Sequence, residues 1–157
     1  MQNQPHIALS PKHFLVPRKN HWFRRTALLF SFILFDYFST ICFCQAPFEE
    51  ANLYARAFME MFGIPLGLTV FVLLANFPIY VALSLDSHIV RLPFKLGRVT
   101  ELTVDCLFAW FVAGAHFSGG ASWFWGASES IRQVLGMLLY LVLAFVLVKP
   151  HKPCYDD

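Results

Sequence analysis

Four long apolar stretches divide the chain, over about residues 26–44, 64–85, 99–117 and 131–148. At a rise of 1.5 Å per residue, about 19 helical residues cover about 28 Å, close to the hydrocarbon thickness of a bilayer. Each stretch is therefore long enough to cross a membrane as one helix. The pattern predicts an all-α integral membrane protein built as a bundle of four transmembrane helices.

The connecting segments are short and polar. Residues 52–62 alternate apolar and charged positions, which indicates a short amphipathic helix that Asn52 can cap. Residues 118–122, Ser-Gly-Gly-Ala-Ser, predict that the third span breaks there. Pro78 lies inside the second span and should kink it, because proline frees a backbone carbonyl.

The basic residues predict an orientation. Lysine and arginine occur in the tails, residues 1–25 and 149–157, and in the loop 86–98, whereas residues 45–50 and 118–128 contain none. With four spans, the three basic segments fall on one side of the membrane, and the positive-inside rule assigns that side to the cytoplasm. Both termini are therefore predicted to be cytoplasmic.

Composition supports the membrane assignment and excludes other classes. Of the 157 residues, 57% are hydrophobic and only 14% are charged, against about 25% charged in soluble domains. The net charge of +2 is too small to suggest nucleic acid, so the expected partners are the lipid bilayer and either further copies of the chain or other membrane subunits. A prokaryotic plasma membrane is the favoured location. An organellar membrane is the alternative, because residues 1–25 carry basic but no acidic residues.

The most informative polar residue is Asp36, near the middle of the first apolar stretch. An acid at that depth costs about 2.5–3.5 kcal/mol, so it needs a partner, water or a proton. Thr40 follows one turn later on the same face. Further polar residues fall toward the same side of the membrane, so we expect a pocket between the first three helices. Its predicted members are Asp36, Thr40, Glu50, Asn52, Arg56 and His116.

Such a pocket could hold a cation, relay a proton or bind a polar ligand headgroup. The alternative is that Asp36 pairs with Arg56 or with Asn76 as a link between helices, worth about 0.6–2 kcal/mol. Asp105, in the first half of the third span, is expected to be wetted from the cytoplasmic edge. His116 considered alone is more typical of an interfacial residue than of a ligand.

No catalytic or cofactor motif stands out. The chain has no HExxH, GxSxG or phosphate-binding loop, and Cys42-x-Cys44 alone is a weak metal motif. Ser118 follows His116 by two residues, but no second histidine is placed to serve it as a nucleophile. We therefore expect no catalytic residues, no metal site and no cofactor, and we do not favour an enzyme.

The run Asp36-Tyr-Phe-Ser-Thr40, followed by Glu50-Ala-Asn52, resembles a family of uncharacterised small prokaryotic membrane proteins. Their pattern is Asp-x-x-x-Thr on the first helix and a Glu-x-Asn-Pro turn before the second. The resemblance covers about residues 26–85, and it departs at Leu53, where the family has proline. It implies a polytopic membrane protein with no assigned activity.

Three hypotheses about function follow. The first is a non-enzymatic accessory or complex-forming subunit, suggested by the missing catalytic motifs and the lack of a soluble domain. The second is a component of ion- or proton-coupled transport that uses Asp36, since interrupted helices often mark transport sites. The third is a membrane enzyme acting on a lipid, with acidic residues that bind a metal. Convergence of the polar residues in space would favour the second or third.

Overall fold

The computed structural model describes residues 20–89 and 94–148. Within those ranges the chain forms helices and no strand, which confirms the all-α prediction. The predicted tails, apart from residues 20–25, and the middle of the predicted loop 86–98 lie outside the described residues. The elements in order are α1 (Asn20–Phe43), a 3-10 turn (Pro47–Glu49), α2 (Leu53–Phe62), α3 (Ile64–Ile89), α4 (Phe94–Phe108), a π-helical segment (Ala109–Gly114), α5 (Ala115–Ser122) and α6 (Glu129–Leu147).

Four helical segments are long and apolar enough to cross a membrane: Phe23–Phe43, Ile64–Ser84, Leu102–Ser122 and Glu129–Leu147. They match the four predicted spans in number and order, with small shifts at their ends. We name the two sides of the bundle from the chain itself. The N-terminal side is where α1 begins, and the turn side is where α1 ends and residues 44–52 follow.

The third span is one uninterrupted helix, so the predicted break at residues 118–122 is wrong. These small residues are helical because they lie against α1, where close backbone approach stabilises the packing of membrane helices. A Cβ added at Gly120 would lie 2.7 Å from Cε1 of Phe35, which leaves no room for a side chain. The helix ends only at Trp123, and the irregular part of the span is instead the π-helical segment in its middle.

Helix α1 lies at the centre of the fold and contacts α3, the π-helical segment, α5 and α6. The main core is built on its apolar face, where Leu29 is fully buried and Ile33 is almost so. Ala109 and Ala113 of the π-helical segment and Tyr140 of α6 cover that face. This core buries the apolar face of α1. The polar residues Arg25 and Asp36 of α1 lie at its two ends, where they contact polar residues of the third span.

A second cluster closes the turn side. Ala55 and Met59 of α2 are buried against Leu68 of α3 and Cys44 at the end of α1. The amphipathic helix predicted over 52–62 is α2, and Asn52 is its N-cap as expected. Gly63 joins α2 to α3 with φ of +82°, a conformation that glycine adopts without strain. This junction holds α2 firmly over the end of the bundle.

Candidate functional site

Helix α1 and the third span are linked by polar contacts at a constant sequence offset. Arg25 contacts Asp105 and Asp36 contacts His116, each pair 80 residues apart. Because both members advance together along their helices, the two helices run parallel. The pairs are 11 residues apart on each helix, which corresponds to about 16 Å along the axis. The contact between α1 and the third span therefore carries the Arg25–Asp105 ion pair on the N-terminal side and the Asp36–His116 contact toward the turn side.

The pair toward the turn side joins two predicted site residues. Nδ1 of His116 lies 2.7 Å from Oδ2 of Asp36, within hydrogen-bond distance, and each side chain is 25% exposed. Asp36 is seven residues from Phe43, the end of the first span, or about 10 Å below its turn-side edge. The pair is thus largely withdrawn from solvent but still reachable. An aspartate and a histidine in contact can share a proton or hold an extra one between them.

Gly119 makes room for the Asp36 carboxylate. A Cβ at Gly119 would lie 2.7 Å from Oδ1 of Asp36, closer than real Cβ atoms approach, and 3.1 Å from Oδ2, which is a tight contact. The carboxylate therefore lies directly on the backbone of α5, one turn after His116. Glycine at this position is required by the close approach of the acid.

Thr40 continues the contact toward the turn. Nε1 of Trp123 donates a hydrogen bond of 3.1 Å to Oγ1 of Thr40, and Thr40 is buried. Tyr37 also bonds across helices, its hydroxyl lying 2.9 Å from Oγ1 of Thr69 in α3. The face that Asp36 and Thr40 share is thus bound to α5 and its C-terminal turn, and Trp123 anchors a helix pair in addition to its expected interfacial place.

Three predicted site residues build the turn between α1 and α2. Oδ1 of Asn52 accepts hydrogen bonds from the backbone N–H groups of Tyr54 and Ala55, at 3.0 and 3.3 Å. Arg56 donates through Nε and Nη2 to the carbonyl oxygen of Glu50, at 3.1 and 2.6 Å. The backbone N–H of Asn52 in turn donates to Oε1 of Glu50 at 2.8 Å. Arg56 and Asn52 therefore fix both the backbone and the carboxylate of Glu50.

Glu50 connects the turn electrostatically to the intramembrane pair. Burial raises the pKa of the Glu50 carboxyl above its usual value, and the negative charge of Asp36 raises it further, while the hydrogen bond from Asn52 and the charge of Arg56 lower it. Glu50 is outside the four membrane-spanning segments and lies close enough to Asp36 for the two charges to interact. A half-buried acid outside the spans is therefore electrostatically coupled to Asp36.

The structure corrects the expected partners of Asp36. Neither predicted candidate pairs with it: Arg56 binds the Glu50 carbonyl, and Nδ2 of Asn76 donates to the carbonyl oxygen of Val72 at 3.0 Å. Both donors are satisfied within their own local segments. His116, which was predicted as a member of the pocket although considered alone it is typical of an interfacial residue, is the partner of Asp36.

A second polar pair was missed by the sequence reasoning. Nη2 of Arg25 donates to Oδ2 of Asp105 at 2.9 Å, and Nε lies 2.6 Å from Oδ1. The side chains are 4% and 19% exposed, so Asp105 is not the wetted edge residue that was expected. The signal that could have found the pair is the equal spacing of 11 residues between Arg25 and Asp36 and between Asp105 and His116.

The six predicted site residues therefore form two neighbouring groups. Asp36 and His116 are in direct contact, with Thr40 one turn above them, while Glu50, Asn52 and Arg56 form the adjoining turn. Within residues 20–89 and 94–148, no group of three or more His, Cys, Asp or Glu side chains is arranged to hold a metal ion. What the arrangement offers chemically is a proton-binding pair with an acid beside it.

Comparison with known proteins adds no assignment, and the resemblance to a family of small prokaryotic membrane proteins stays a prediction. The chain matches no protein-family model, no curated protein and no solved structure.

Proposed function

We propose that this protein is a membrane-integral component of a proton-coupled process, in which Asp36 and His116 bind and release the proton. The observation that carries the proposal is the 2.7 Å contact between these two side chains inside the membrane-spanning region. An ionisable pair at that depth is costly unless it is partnered, and such pairs commonly mark proton or ion pathways. Each side chain is a quarter exposed, so neither is sealed within the bundle.

Glu50 supports this proposal as the group through which protons reach the pair. It is held by Arg56 and Asn52, it lies outside the membrane-spanning segments, and its charge interacts with that of Asp36. The orientation predicted from the basic residues places the turn side outside the cell, in a prokaryotic plasma membrane. In that orientation the pair exchanges protons with the external solvent.

Proton binding can be tested with the purified protein in lipid. We expect pH-difference infrared spectra of the native protein to show the C=O band of a protonated carboxyl group. Asp36→Asn should remove this band, and His116→Gln should change the pH at which the band appears. Glu129→Gln is the matched control, because Glu129 is an exposed acid at the start of α6. A spectrum unchanged by Asp36→Asn would refute proton binding at this site.

Coupling to transport needs a separate experiment. Four spans are few for a carrier, so we expect the chain to act as a homo-oligomer or with other membrane subunits. Reconstituted vesicles should show proton flux that falls when Asp36→Asn replaces the native chain. Equal flux from both proteins would remove the transport assignment while leaving proton binding intact.

A second candidate function is that of a non-enzymatic accessory subunit. It is favoured by the fact that Asp36, Thr40 and Arg56 each have a partner within the fold, as polar links between membrane helices do. Cross-linking in mild detergent tests it, since a chain that is always a monomer without companions would contradict it. The lipid-modifying enzyme stays an untested alternative, for which metal analysis of native and Glu50→Gln protein is the check.

A further inference from the structure

The polar pair on the N-terminal side has a neighbour that the site described above does not use. Tyr140 of α6 is fully buried, and its hydroxyl has no hydrogen-bond partner among residues 20–89 and 94–148. Tyr140 belongs to the same buried cluster as Leu29 and Ala109, which follow Arg25 and Asp105 by one helical turn on their helices. A buried hydroxyl without a bond is costly, and such a group in a native structure calls for an explanation.

Between this cluster and Asp36 the contact of α1 with the third span is apolar. Leu29, Phe32 and Ile33 of α1 are buried against Ala109 and Ala113 of the third span. These side chains neither accept nor donate protons, and they separate the two charged pairs by about 16 Å. This apolar contact lies on the N-terminal side of Asp36 and His116.

Two features make the closure depend on the Arg25–Asp105 pair. Both side chains are largely buried, so the charges neutralise each other instead of being solvated, and removal of one would leave the other uncompensated. The pair also joins α1 to the third span at the end where the apolar layer begins. Parting these helices would break the pair, and we expect the unbonded Tyr140 hydroxyl to donate a hydrogen bond to the released Asp105.

We propose that Arg25, Asp105 and Tyr140 form a gate that closes the N-terminal side of the bundle to protons bound at Asp36 and His116. The inference rests on the proposed proton-binding function of that pair. In the closed state Asp105 is bound to Arg25. In the open state Asp105 exchanges Arg25 for Tyr140, and water enters the layer between α1 and the third span.

The test is proton flux into vesicles that contain the full chain, driven by a potassium gradient and followed with an enclosed pH-sensitive dye. The main variant is the double substitution R25Q/D105N, which removes both charges and so buries no unpaired ion. We expect its flux to exceed that of the native protein about tenfold or more, the factor that corresponds to 1.4 kcal/mol in the open–closed equilibrium. Adding Asp36→Asn to it should lower the flux to that of the Asp36→Asn protein.

Two further variants keep the test decisive. Arg25→Lys retains the charge but loses the forked contact to Asp105, and it should raise the flux by a smaller factor if the double variant does not fold. Arg24→Gln is the matched control, because Arg24 is the exposed neighbour and donates to the carbonyl of Leu147 instead. Its flux should equal that of the native protein.

Three results would overturn the gate. They are native-level flux in folded R25Q/D105N and Arg25→Lys proteins, a raised flux that Asp36→Asn does not lower, and an equal rise in Arg24→Gln. If the infrared signal of Asp36 is present while any of these occurs, the gate is wrong and proton binding stands. If that signal is absent, the proposed function itself has failed.

Discussion

Replacing Gly119 by alanine is the most direct way to disturb the Asp36–His116 contact without touching either residue. The added Cβ would lie 2.7 Å from Oδ1 of Asp36, so the carboxylate must move away from α5. His116 is one turn earlier on the same helix and cannot follow that movement. The substitution should therefore lengthen or break the 2.7 Å contact.

The expected cost follows from three contributions. Overpacking a tight contact costs about 1–3 kcal/mol. Loss of an interhelical polar contact in a membrane protein costs about 0.6–1.7 kcal/mol. Alanine in place of glycine within a helix returns roughly 0.5–1 kcal/mol. The net destabilisation of Gly119→Ala should be about 1–4 kcal/mol on these figures.

A double-mutant cycle with Asp36→Ala identifies the cause. Without the Asp36 carboxylate the new methyl group has room, so Gly119→Ala in that background should stabilise the helix slightly. The coupling energy should therefore be at least about 1.5 kcal/mol, measured by unfolding in detergent micelles. Gly126→Ala is the control, because a Cβ at Gly126 meets nothing within 4 Å. If Gly119→Ala and Gly126→Ala unfold alike, or if the cycle shows no coupling, the carboxylate does not lie on α5 as described.

Substitutions at three further residues test the turn between α1 and α2 and the hydrogen bond between Thr40 and Trp123. Asn52→Ala removes the cap of α2 and should lower the stability by about 1 kcal/mol, whereas Asn52→Asp keeps an acceptor and should cost much less; equal losses in unfolding experiments would contradict the cap. Burial raises the pKa of Glu50, so the folded state binds its proton more readily than the unfolded state. Stability should then fall as the pH rises from about the unfolded value of 4.5 through the raised folded value, and Glu50→Gln should flatten that slope; an unchanged slope would show that Glu50 is not the cause. Thr40→Val removes the acceptor for Trp123, so it should lower the stability by about 0.6–1.7 kcal/mol and shift the tryptophan fluorescence. Thr40→Ser keeps a hydroxyl and should retain the native stability and the native fluorescence. Identical spectra for the two variants would argue against the hydrogen bond.

The sequence was sufficient for the architecture because span length and apolar content decide it. Stretches of about 19 apolar residues have few alternatives to a membrane helix, and the Asn52 cap follows from a local backbone requirement. The predicted partners of Asp36 were wrong for the opposite reason. Pairing between helices depends on their rotation and register, and a polar residue such as Asn76 can satisfy itself on its own helix, at the Val72 carbonyl.

The glycines of the third span also show that local sequence patterns do not determine contacts between helices. By local propensity, Gly119 and Gly120 indicate a helix break, and that is how the sequence was interpreted. In the structure they are the residues that let α1 approach, because tertiary contact outweighs a propensity of about 1 kcal/mol per glycine. A glycine pair inside an apolar stretch is thus better interpreted as a packing surface when an acid such as Asp36 needs space nearby.

The π-helical segment between Asp105 and His116 has a consequence for how this protein tolerates change in length. A wide turn of this kind absorbs one surplus residue while the helix on either side keeps its rotational phase. Shortening residues 109–114 by one should therefore yield a regular helix that still presents Asp105 and His116 to α1. The same deletion elsewhere between them would swing one of the two by about 100°, since each residue of an α-helix adds that angle. The π-helical segment therefore allows the length of the span to change by one residue without rotating one half of the span relative to the other.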